Sequence, residues 1–144
     1  MTWGLKQLGI AALWQTTKGE DINVAVLDTG VHGEHDALSG RVKSFVVIDP
    51  LGRRITAEPA FDSGQHGTHV CGTIAGGKTP EGVSIGVAPA ANLFVAGVLV
   101  GDATLATFPA HVTPKFATSA HIAFASLNQL VTQISWIKYE PRKK

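Results

Sequence analysis

Ile22-Asn23-Val24-Ala25-Val26-Leu27, closed by Asp28-Thr29-Gly30, is the stretch that decides the fold. The run is rich in β-branched residues and apolar on both faces, which predicts a buried parallel strand rather than a half-solvated antiparallel one. A carboxylate, Asp28, falls just past its carboxyl end, and Gly30 lets the chain turn away. In parallel α/β sheets that edge is where ligands and catalytic groups collect.

Working outward, Leu5, Leu8, Ala11 and Ala12 recur at helical spacing and predict a short amphipathic helix before the strand, with Gly19 ending it or opening the next turn. Val42 to Ile48 is a second apolar run, stopped by the turn signal Asp49-Pro50-Leu51-Gly52. Residues 50–64 read as loop. His66 to Ala75 reads as a helix of small residues closed by Gly76-Gly77. A turn-rich loop over 77–91 leads into a strong strand over 92–100. Residues 101–125 carry Pro109 and Pro114 and show no clean period. Ser126 caps a predicted helix over 126–140 with a stripe at Leu127, Leu130, Val131, Ile134 and Ile137, ended by Pro141. The order helix, strand, strand, helix, strand, helix implies a layered α/β fold.

Composition narrows the function classes. The 144 residues are 44% hydrophobic and 16% charged, which excludes a disordered chain. The net charge is +1, and Arg142, Lys143 and Lys144 supply three of the positives, leaving the body at −2 (1 − 3). No basic field exists to hold nucleic acid. No apolar run approaches the ~20 residues that cross a bilayer. One cysteine, Cys71, excludes an internal disulfide framework. The first residues lack a signal-peptide pattern, so a cytoplasmic location is expected for the chain as written.

The second chemically loaded stretch is Asp62-Ser63-Gly64-Gln65-His66-Gly67-Thr68-His69-Val70-Cys71-Gly72-Thr73. A histidine opens a helix whose Gly, Thr and Ala residues let it press closely on a sheet. A fixed imidazole beside a fixed carboxylate is two-thirds of a nucleophilic triad, in which the carboxylate orients the ring and stabilises the imidazolium. Metal binding is the competing chemistry: His66 with His69, and His32 with His35, each form a His-x-x-His pair, although zinc takes three or four ligands. Cys71, one turn past His66, reads as a small buried apolar residue, with a mercurial-sensitive thiol as the sharper alternative.

At these residues the sequence resembles the subtilisin-like serine proteases, the subtilases. Asp28-Thr29-Gly30 matches the family's first motif, and His66 to Thr73 matches its His-Gly-Thr-His-Val-x-Gly-Thr motif without a gap. His35-Asp36-Ala37-Leu38 is similar to the family's His-Pro-x-Leu step, and Gly86-Val87-Ala88-Pro89-Ala90-Ala91-Asn92-Leu93 to its entry into the next strand. The match is strongest over residues 1–100. The resemblance implies a three-layer, subtilisin-like α/β fold, a parallel sheet with flanking helices, formed by a single domain over 1–144 and incomplete in its C-terminal half. It implies catalytic roles for Asp28 as the acid and His66 as the general base, with His69 structural and buried in the helix. It implies a peptide or protein substrate and a missing C-terminal half as a candidate partner, while the charge and the short apolar runs imply no nucleic-acid and no membrane partner.

The departures are as informative. The family's Gly-Thr-Ser-Met-Ala nucleophile motif is absent; Ala117-Thr118-Ser119-Ala120-His121 is a faint echo with the wrong spacing, so Ser119 is not read as a nucleophile. The oxyanion asparagine, expected on a strand after the helix that Gln133 to Ile137 resembles, is also missing, and one such donor is worth about 2.7–4 kcal/mol in the transition state. The chain alone is therefore expected to be inactive. No cofactor and no metal ligand is expected: residues 77–85 could offer carbonyls to calcium, as in some subtilases, but Ala37 stands where the family's main calcium aspartate falls. The alternative function is a non-catalytic binding or interaction module built on half a subtilase fold.

Overall fold

The structure is a computed structural model, and it describes residues 1–48 and 53–99 together with the backbone of 121–123. Among the described residues, five strands form one sheet, in the order β3-β2-β4-β1-β5. They are β1 (Asn23–Asp28), β2 (Val42–Ile48), β3 (Arg54–Thr56), β4 (Asn92–Gly97) and β5 (His121–Ala123). β4 lies between β1 and β2 and runs parallel to both. β5 runs parallel to β1 on its other side. Only β3 is antiparallel, at the edge against β2.

The side chains of β1 alternate between two buried clusters, as strand geometry requires. Val24 and Val26 point to one face, where they meet Leu38, Phe45, Leu93, Val95, Cys71 and Ala75. Ala25 and Leu27 point to the other, with Val46, Ile48, Ala96 and Val98. Both faces of β1 are therefore dry, and the continuous apolar run is explained.

Helix α3 (His66–Ala75) covers the first face. Its buried residues are Gly67, Cys71 and Ala75, an i, i+4, i+8 row of small side chains that brings the helix axis close to the sheet. The N-terminal segment is two short helices, α1 (Trp3–Gln7) and α2 (Ile10–Leu13). Gly9 separates them at φ +66°, so the expected stripe is broken: Leu5 and Ile10 are buried, whereas Leu8, Ala11 and Ala12 are exposed. Trp14 ties this segment down by donating its indole N–H to the Val87 carbonyl at 2.8 Å.

Two elements differ from expectation. The loop over 50–64 contains β3, whose three residues are all exposed; an edge strand with one apolar side chain, Ile55, gives no periodic signal. The segment 101–125, read as patternless, contributes β5. β4 occupies one edge of β1, and three residues suffice to pair with the other: Val24 with His121, Ala25 with Ile122, Val26 with Ala123. The helix expected over 126–140 and the segment around Ser119 lie outside the described residues.

Candidate active site

Asp28 is the last residue of β1 and is fully buried. Its main-chain carbonyl accepts from the backbone N–H groups of Val98 and Leu99, at 2.8 and 3.2 Å, where β4 runs on past its end. Its carboxylate Oδ1 accepts from the Thr29 N–H at 2.7 Å. His66, the first residue of α3, places Nδ1 2.9 Å from both carboxylate oxygens. The imidazole is one-third exposed (32%) while its partner is wholly enclosed (0%).

An ionised carboxylate only accepts hydrogen bonds, so Nδ1 carries the proton and donates it. A neutral ring then carries its lone pair on Nε2, the tautomer able to accept a proton. Burying Asp28 is tolerable because its charge is hydrogen-bonded, and no buried side-chain N or O atom among the described residues lacks a partner. The structure thus brings the two expected site residues together.

What holds the strand end and the helix start in register is a carboxylate that sequence reasoning left without a role. Asp62 Oδ1 accepts from Thr29 Oγ1 at 2.6 Å and from the Gly64 N–H at 3.0 Å. Asp62 Oδ2 accepts from the Thr68 N–H at 2.8 Å and from Thr68 Oγ1. Burial pushes the Asp62 carboxyl up, but the hydrogen bonds from Thr29, Thr68 and Gly64 outweigh that and hold it below the usual aspartate range. Thr29 Oγ1 also accepts from the Gly67 N–H at 3.0 Å, and Thr68 Oγ1 from the His32 N–H at 2.9 Å. Asp62-Ser63-Gly64 is an Asx turn, and that local signature was the available signal.

The approach of helix to turn is a backbone contact. A Cβ on Gly67 would lie 2.0 Å from the Gly30 carbonyl oxygen, and a Cβ on Gly30 would lie 2.1 Å from that of Phe61. Gly30 also has φ +122°, a region side chains rarely adopt.

His69 is exposed, contrary to the expected buried position. It stands two residues from Gly67 and two from Cys71, about 200° around the helix from the buried row. His69 instead lines a groove of about 750 Å³ with Trp3, Leu8, His32, His35 and Gln65. Neither Asp28 nor His66 lines that groove. Although three of its walls carry histidine, no three His, Cys, Asp or Glu side chains among the described residues are placed to hold a metal ion.

Cys71 is completely buried, and burial, followed by the negative charges of Asp28 and Asp62, pushes its thiol up to about 12 from 9.0. At pH 8 that leaves roughly a thousandth of the thiolate an ordinary cysteine would show. The native chain should therefore react with Ellman's reagent only as it opens, and stoichiometrically in denaturant; rapid release of the chromophore at pH 8 without denaturant would show that the thiol is accessible.

The fold and the pair define a class: an α/β protein with a carboxylate–imidazole couple at the carboxyl edge of a parallel sheet. Comparison with known proteins narrows it. The Subtilase family profile (Peptidase_S8) matches residues 19–136. Fervidolysin from Fervidobacterium pennivorans is 42% identical over 103 residues, covering 63% of this chain and 13% of its own length. The intracellular serine protease of Paenibacillus polymyxa is 38% identical over 102 residues, covering 67% of this chain and 29% of its own. The subtilisin of Bacillus sp. (strain TA39) is 42% identical over 105 residues, covering 69% and 24%. The crystal structure of fervidolysin, described as a keratinolytic enzyme related to subtilisin, superposes with a TM-score of 0.50 at 39% identity, over 65% of this chain and 14% of that one. The chain belongs to the subtilase family of serine proteases, and it spans less than a third of the length of these relatives.

Proposed function

We propose that this chain carries the acid–base half of a serine endopeptidase site. Asp28 orients His66 and supports the imidazolium; His66 Nε2 takes the proton of an attacking serine hydroxyl and returns it to the leaving amine. The observation that carries the reading is the enclosed Asp28 carboxylate with both oxygens 2.9 Å from His66 Nδ1. The substrate class is a peptide or protein, and the chemistry calls for no cofactor.

The serine is not supplied by a Gly-Thr-Ser-Met-Ala motif in these 144 residues. A polypeptide of this sequence, tested by itself, is therefore expected to hydrolyse no chromogenic peptide, because the acyl-enzyme route needs the nucleophile. A fluorophosphonate probe read by intact-mass spectrometry should add no mass. Stoichiometric labelling at Ser119 would overturn this expectation.

A further inference from the structure

The Asp62 carboxylate collects four donors, and three of them come from the two segments that carry the pair; the fourth, the Gly64 N–H, belongs to its own turn. Thr29, which donates to Oδ1, is the neighbour of Asp28; Thr68, which donates twice to Oδ2, is two residues beyond His66 on the first turn of α3. Thr29 Oγ1 closes the circuit by accepting from the N–H of Gly67, the neighbour of His66. A ring of hydrogen bonds thus runs from the strand end through Asp62 to the helix start and back.

We propose that Asp62 is a positioning residue: its carboxylate sets the register between the turn after β1 and the first turn of α3, and so the alignment of His66 Nδ1 on Asp28. The ring is closed only by an acceptor with no donor of its own. An amide at 62 would direct one N–H at a group that itself donates, because Oδ1 and Oδ2 each receive two donors. Steric contact alone does not supply the register. The Gly30–Gly67 approach limits how near the helix comes, while the hydrogen bonds fix how far it slides along the strand end. The depressed Asp62 carboxyl agrees with an acceptor kept ionised by these donors.

This inference rests on reading Asp28 and His66 as the acid–base pair, but its test reads the imidazole proton rather than turnover. A failed activity reconstruction and a failed positioning role therefore give different results. The Nδ1–H of His66 is followed by NMR on the full chain, assigned by its disappearance in His66→Gln, and its exchange with solvent is measured. Asp62→Asn should speed that exchange about tenfold, the loss of one well-aligned hydrogen bond's worth of alignment. Thr68→Val, which keeps the side-chain shape and removes one donor to Asp62 together with the acceptor of the His32 N–H, should act in the same direction and decides the matter if Asp62→Asn does not fold. Ile10→Ala, a core truncation in α2, should lower the melting temperature and leave the exchange unchanged. Unchanged exchange in the folded Asp62 and Thr68 variants, or an equal rise in Ile10→Ala, would overturn the proposal and leave Asp62 a loop-stabilising residue.

Discussion

A chimera joining residues 1–99 to the nucleophile-bearing remainder of the Bacillus sp. (strain TA39) subtilisin should hydrolyse peptides, and Asp28→Asn in it should lower kcat about 10⁴-fold with KM little changed. The reason lies in how an amide at position 28 must orient. The Thr29 N–H donates to Oδ1 at 2.7 Å, so the amide oxygen takes that place. The NH₂ then falls where Oδ2 was, 2.9 Å from His66 Nδ1. One of the two acceptors that Nδ1 faces at 2.9 Å thus becomes a donor, so the carboxylate's preference for a protonated Nδ1 is lost and the tautomer with the proton on Nε2 gains population. In that tautomer the ring keeps its position and loses the lone pair that accepts the serine proton. His66→Ala should be at least as damaging. A folded chimera that labels with fluorophosphonate yet is indifferent to both substitutions would sink the assignment of roles.

Gly67→Ala should destabilise the chain by at least about 3 kcal/mol, the upper range for forcing atoms into a packed core. The new Cβ would sit 2.0 Å from the Gly30 carbonyl oxygen and 3.0 Å from the Gly30 carbonyl carbon and nitrogen. Neither side of this contact is a flexible side chain. The helix or the turn must retreat, and Gly67 N–H then leaves Thr29 Oγ1. For a chain of this size the melting temperature should fall by about 6–12 °C. A scanning calorimetry trace with an unchanged midpoint would mean that the approach of helix to turn is looser than described.

The parts read correctly from the sequence are those where local pattern and tertiary role coincide. The run before Asp28 is apolar on both faces because β1 is covered on both faces. The small residues of α3 are spaced as they are because Gly67, Cys71 and Ala75 face the sheet. The same spacing, applied to His69, would have placed it on the solvent side; a motif match put it inside, and the helical wheel was the better guide. Asp62 went without a role because its donors outside its own turn are Thr29, 33 residues away, and Thr68, 6 residues away, which donates twice. Only the neighbouring Gly64 is local. β5 and β3 were unreadable for a simpler reason: a three-residue strand has no period to detect.

The position of β1 in the sheet also governs when the pair can form. Its register partners are not its neighbours in the chain but Asn92 to Gly97 and His121 to Ala123. Asp28 and its partner Gly97 stand 69 residues apart (97 − 28), so closing this pairing is a long-range step of the kind that slows folding. At about 5–20 residues per second of synthesis, the acid-bearing strand waits roughly 3–14 s for β4 to be made. The helix bearing His66 is complete well before then and has no finished sheet to settle on. The carboxylate is made first, but its strand gains its β4 partner only after the helix bearing the imidazole has been made.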